Sequence, residues 1–82
     1  MAQILRIESE TRRARHIVKF YLENCDIAKY CEIIFLMVVR DIYRMADIYA
    51  KGNILYLDTP NEEATSVIAR FLKKRIENLS NV

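Results

Sequence analysis

Glycine and proline are almost missing from this chain: Gly52 and Pro60 stand alone among 82 residues, and there is no tryptophan. With 52% hydrophobic residues beside them, those gaps exclude both a disordered tail and a loop-rich secreted scaffold. No glycine-rich phosphate loop can form, and neither a zinc pattern nor a calcium loop is spelled out. His16 is the only histidine, and no local motif brings a serine or cysteine to it. A nucleophile, base and orienting group therefore have nowhere evident to converge, and we expect no catalytic residues and no enzyme. An excess of one charge is missing too. Thirteen basic residues face 11 acidic ones for a net +2, too balanced for phosphate binding to follow from charge alone.

A membrane-spanning run is also lacking. The longest apolar stretch, Ile33 to Val39, falls far short of the ~20 residues of a spanning helix and is bounded by Glu32 and Arg40. No basic-then-apolar leader opens the sequence, so the expectation is a cytoplasmic protein without a membrane partner. Cys25 and Cys31 on one helix would be separated by ~9 Å of rise and about 240° of rotation, beyond disulfide reach. Only His16 could join them as a nitrogen or sulfur donor, which predicts reduced thiols, no metal site and no cofactor.

The length predicts a single domain whose core is thin, because a chain this short buries only roughly 60–65% of the surface its unfolded form exposes. So much apolar material on so thin a core points to burial against a second chain, either a homodimer or a heteromeric protein partner.

What is present is a repeated pattern. Ile4-Leu5-Arg6-Ile7-Glu8-Ser9 aligns with Ile54-Leu55-Tyr56-Leu57-Asp58-Thr59, and the match continues through Ala14/Ala64, Ile17/Val67, Val18/Ile68, Tyr21/Phe71 and Leu22/Leu72. Each copy reads as an alternating strand, a capping hydroxyl and an amphipathic helix. The first helix is then expected from about Glu10 to Asn24. Asp26 is the expected cap of the next, which spans Ile27 to Ala50 if its polar stripe is followed. A buried strand at Ile33 to Val39 with a short one at Asp47 to Ala50 competes with that helix.

Gly52 marks a boundary, since it alone enters positive φ freely, as a helix end or hairpin turn requires. Thr59-Pro60-Asn61-Glu62 then starts the last helix, with Thr59 as cap. The expected fold is α+β, a small two-layer β-α-α-β-α domain with two related strand-helix halves. Its core would hold Ile4, Ile7, Ile17, Val18, Ile34, Val38, Leu55, Leu57, Ile68 and Leu72. The alternative is an all-α, three-helix, histone-fold-like chain.

Two groups of residues are candidates for function. Arg12, Arg13, Arg15 and Lys19 crowd the first expected helix, and Lys73, Lys74 and Arg75 would extend the cluster if the two related helices lay side by side; such a patch fits tRNA or another nucleic acid. Tyr21, Phe35, Tyr43, Tyr56 and Phe71 are candidate interface aromatics, and tyrosines could also offer stacking surfaces to single-stranded RNA. The expected function is that of a non-catalytic small subunit that dimerises or docks on a larger assembly. The alternative is a small DNA- or RNA-binding regulator using a basic helix.

Lys51-Gly52-Asn53-Ile54-Leu55-Tyr56-Leu57, with Glu62-Glu63-Ala64 and Ala69-Arg70-Phe71-Leu72-Lys73, resembles the end of the small dimerising subunit of the archaeal KEOPS complex. Ile4 to Leu22 is similar to that family's opening strand and helix. Its layout is a strand, a helix, a glycine-turned hairpin and a final helix. The resemblance implies a subunit that pairs with a related copy and helps a kinase-like assembly make threonylcarbamoyladenosine on tRNA.

Overall fold

The computed structural model describes residues 4–79. The chain runs β1 (Ile4–Arg12), β2 (Arg15–Leu22), α1 (Cys25–Ile42), β3 (Asp47–Lys51), β4 (Ile54–Thr59) and α2 (Glu62–Leu79). The strands form one sheet in the order β1-β2-β4-β3 with every neighbouring pair antiparallel. Both helices cover the same face: α1 packs on β3 and β4, while α2 packs on β4 and β2. The fold is therefore α+β in two layers, and the four strands rule out the all-α alternative.

Alternation along the strands builds the core. Val18, Phe20 and Leu22 of β2 stand opposite Leu57, Leu55 and the hairpin end of β4, and Ile48 joins them from β3. The helices close over this floor with Ala28, Cys31, Phe35 and Val39 from α1 and Thr65, Ile68, Leu72 and Ile76 from α2. Of the expected core, Val18, Leu55, Leu57, Ile68 and Leu72 are buried, and Ile4 and Ile34 pack on its margin. Ile17 turns to the opposite sheet face, and Ile7 and Val38 are exposed.

The element order differs from the β-α-α-β-α expectation. Residues 15–22 form a strand where a helix from Glu10 to Asn24 was expected, and the long helix stops at Ile42 so that β3 can follow. The short strand weighed at Asp47 to Ala50 is present; the one weighed at Ile33 to Val39 lies inside α1. The related halves dissolve as well: Ile17, Val18, Tyr21 and Leu22 belong to a strand, whereas their counterparts Val67, Ile68, Phe71 and Leu72 belong to a helix. Apolar residues at both two- and four-residue spacings satisfy either period. Pairing of β2 with β1 on one side and β4 on the other settles which period is used.

Caps shift in the same way. Asn24 rather than Asp26 caps α1, its Oδ1 accepting from the Ile27 N–H at 2.9 Å. Asn61 rather than Thr59 caps α2, accepting from the Ala64 N–H at 2.9 Å, while Thr59 ends β4 and accepts from the Asn61 N–H at 3.2 Å. Gly52 takes φ +61 in the β3–β4 turn, the conformation its identity favours. Arg13 and Ala14 in the β1–β2 turn also have positive φ, 50 and 64, with no glycine to ease it.

Candidate interaction surfaces

The first surface is the outer side of α1. Its inner side is set by Ala28, Cys31, Phe35 and Val39, spaced three and four apart. A helix rotates 100° per residue, so the unbroken apolar run from Ile33 to Val39 must point all round the axis, and a two-layer fold can cover only part of it. Tyr30, Ile33 and Met37 are left 54%, 66% and 68% exposed, and Val38, Ile42 and Met45 are exposed beside them. These six exposed side chains make the outer side of α1 apolar, the kind of surface that marks an interaction site. The far flank of α1 is polar and tied down. Glu32 accepts from Lys29 Nζ at 2.8 Å and from the Ala50 N–H at 2.6 Å, and these two bonds, in that order, hold its carboxyl below the usual range.

The second surface is the sheet face turned away from the helices. It carries Arg6, Glu8, Glu10 and Arg12 from β1, Arg15, Lys19 and Tyr21 from β2, Tyr56 and Asp58 from β4, and Asp47, Tyr49 and Lys51 from β3. Tyr49 and Tyr56 are stacked at 5.0 Å, and Tyr21 donates to Glu8 at 2.8 Å beneath the Arg6 guanidinium. Charges of both signs share this face and pair with one another. Arg15 binds Asp58 at 2.7 Å, Lys19 binds Glu10 at 3.4 Å, and Arg6 binds Glu8 at 3.4 Å. The hydrogen bond to Glu10 raises the Lys19 pKa.

These placements separate the expected basic cluster. Arg12 ends β1, Arg13 lies within the β1–β2 turn, Arg15 and Lys19 lie on the open sheet face, and Lys73, Lys74 and Arg75 ride on α2 in the other layer. A basic helix does not form in the first part of the chain. Among the candidate aromatics, Phe35 and Phe71 meet edge to face at 6.4 Å inside the helix layer, and Tyr43 packs on the core margin. Tyr21 and Tyr56 are half-buried on the open sheet face.

A groove of about 490 Å³ lies between β1 and α2, with Ile7, Ser9 and His16 on one wall and Thr65, Ser66 and Ala69 on the other. It exists because α2 sits over β2 and β4 and leaves β1 overhanging. His16 lies half-buried there with the Thr11 hydroxyl 3.3 Å from its Nδ1. Cys25 is exposed at the start of α1 and Cys31 is buried beneath the same helix. Among the described residues, no three His, Cys, Asp or Glu side chains gather as metal ligands, and no helix is long and apolar enough to cross a membrane.

Comparison with known proteins found no match: no family model, curated protein or solved structure corresponds to the chain.

The α1 stripe was present in the sequence as the run from Ile33 to Val39. Neither the polar stripe nor the buried strand weighed for that run exposes Ile33 and Met37, which are exposed because one side of a covering helix always faces out. The overhanging β1 edge had no comparable signal, because it depends on residues 15–22 being a strand.

Proposed function

We propose that this chain is a non-catalytic small subunit that dimerises or docks on a larger assembly, and that the assembly is of the tRNA-modifying kind the family resemblance implies. The observation that carries the reading is the uncovered apolar side of α1, centred on Ile33 and Met37. Hydrophobic surface of that extent on so small a domain is stabilised when a partner removes it from water. Ile4 to Leu22, likened to that family's opening strand and helix, forms two strands instead; what supports the resemblance is the order from β2 to α2, a strand, a helix, a glycine-turned hairpin and a final helix. The correspondence then begins at β2 rather than at Ile4.

The alternative, a small DNA- or RNA-binding regulator, calls for its basic groups on one surface. They lie in separate layers, and several are already matched by acids. The test is sedimentation equilibrium over a wide range of concentrations, combined with affinity purification from the native host. The wild type is expected to bind a defined larger partner, and an Ile33→Asp/Met37→Asp double variant to lose that partner with its melting temperature unchanged. A chain that stays monomeric and alone, or one that binds RNA with a steep salt dependence removed by Arg13→Ala and Lys74→Ala, would decide against the assembly reading.

A further inference from the structure

The two edges of the sheet differ. At β3, the two-residue Gly52-Asn53 turn makes Lys51 and Ile54 a hydrogen-bonded pair, so alternation turns the N–H groups of Ile48 and Ala50 outwards. Both are taken up by side chains: Asp47 accepts from Ile48 at 3.0 Å, and Glu32 reaches across from α1 to accept from Ala50 at 2.6 Å. That edge is closed.

At β1 the same alternation, counted from Arg12 opposite Arg15, turns the backbone groups of Ile7, Ser9 and Thr11 outwards. No side-chain acceptor meets their N–H groups among the described residues. The strand is nine residues long, contains neither proline nor lysine, and leaves Leu5 and Ile7 60% and 39% exposed. Its only irregularity is the bulge between Ile4 and Arg6. An open edge of this kind is a template for another strand.

We propose that β1 pairs antiparallel with β1 of a second copy about a two-fold axis at Ile7, joining two four-stranded sheets into one of eight. The inference rests on the assembly reading and supplies the surface and register. An antiparallel pair of identical edges requires a two-fold axis normal to the sheet, which keeps like faces together, so the axis must pass through a residue of β1. The charges then select which residue. An axis at Glu8 sets Glu8 against its own copy, one at Glu10 does the same for Glu10, and one at Ser9 opposes Glu8 to Glu10 and Arg6 to Arg12. An axis at Thr11 pairs Glu10 with Arg12, but it strands the overlap on the Arg13-Ala14 turn and leaves Leu5 and Ile7 in water. Only the axis at Ile7 sets Arg6 against Glu8 of the second copy twice over and Ile7 against Ile7, with the bulge at Leu5 marking the end of the paired segment. Among the described residues, the space above β1 is the groove beside α2, which leaves the edge open to a second strand.

Self-association measured by sedimentation equilibrium tests the register by charge exchange. Glu8→Arg faces Arg6 with a like charge at both symmetric sites and is expected to weaken dimerisation roughly tenfold, while Arg6→Glu/Glu8→Arg restores it. In a Cys25→Ser background, Ile7→Cys is expected to give a covalent dimer on mild oxidation, because the paired Cα atoms would lie ~5.5 Å apart, and Thr11→Cys is expected to give none. Dimers indifferent to Glu8→Arg, or Thr11→Cys cross-linking as readily as Ile7→Cys, would overturn the edge pairing and leave the assembly reading intact. A chain monomeric at every concentration, Ile7→Cys included, also overturns the pairing; the assembly reading is then decided by the partner purification.

Discussion

The β1–β2 turn offers a sharp test of the fold, because its residues are poorly suited to their conformation. Arg13 and Ala14 have φ of 50 and 64 at the two centre positions of a two-residue hairpin, the pattern of a type I′ turn that favours Asn-Gly. Each L-residue held in the left-handed region costs about 1–2 kcal/mol. Glycine at the second position removes that cost but returns about 0.5–1 kcal/mol of unfolded-chain entropy, and asparagine at the first lowers it in part. Arg13→Asn/Ala14→Gly is therefore expected to stabilise the protein by about 1–2 kcal/mol. For a domain of this size that raises the melting temperature by ~5–15 °C. Arg13 makes no ion pair among the described residues, so the lost charge removes no partner. Thermal melting by circular dichroism and urea midpoints measure the change. Gly52→Ala provides the opposite control: an added Cβ would meet nothing within 4 Å, so the φ of +61 alone should cost about 1 kcal/mol. A double variant that melts at or below the wild type would refute the hairpin, and with it the strand at residues 15–22.

Three further outcomes follow from the packing. Ile68 and Leu72 are fully buried between α2 and the sheet, and truncating either to alanine should cost about 2–5 kcal/mol, enough to unfold much of the population at 37 °C by calorimetry. Burial pushes the Cys31 thiol up from 9.0 to about 11. A thiol reagent at pH 8 should therefore titrate Cys25 quickly in the native protein and Cys31 only on unfolding. Because the unfolded thiol ionises first, stability should also fall as pH rises from 9.0 towards about 11. Glu32 has the reverse sign. Its carboxyl is held below the ordinary 4.5 by Lys29 and the Ala50 N–H, so its contribution is full above that value and is lost as pH falls through the lowered one. Urea midpoints of the wild type and Glu32→Gln should converge in acid, and midpoints that stay equally far apart at every pH would contradict the assignment.

The open β1 edge and the apolar side of α1 point in different directions, one along the sheet and one away from it. A subunit built this way can pair with its own copy and still present a hydrophobic helix to something larger. The closed β3 edge limits such pairing to one side, because the Glu32 bond that anchors α1 to β3 also occupies the Ala50 N–H. Chains would therefore meet in twos and not in open arrays.

The legible parts of the sequence were those with a local physical signature. Gly52 named its turn because no other residue type enters that φ without cost, and Thr59-Pro60-Asn61-Glu62 marked the start of α2 to within two residues, although Asn61 and not Thr59 caps it. The α+β class followed from the alternation of Ile54 to Leu57 beside the four-residue spacing of Ile68, Leu72 and Ile76. The expectation of a partner rested on the apolar content of the whole chain, not on the run from Ile33 to Val39. Tertiary structure alone decided the rest. Arg13-Ala14 gives no turn signal, and residues 15–22 are apolar at both periods, so local preference could not choose between a helix and a strand. Pairing with β1 and β4 made that choice, since it buries Val18, Phe20 and Leu22 against the helices and satisfies the backbone of β2 on both sides. The end of α1 likewise has no glycine or proline; the helix stops where the chain must turn back so that Ile48 can enter the core.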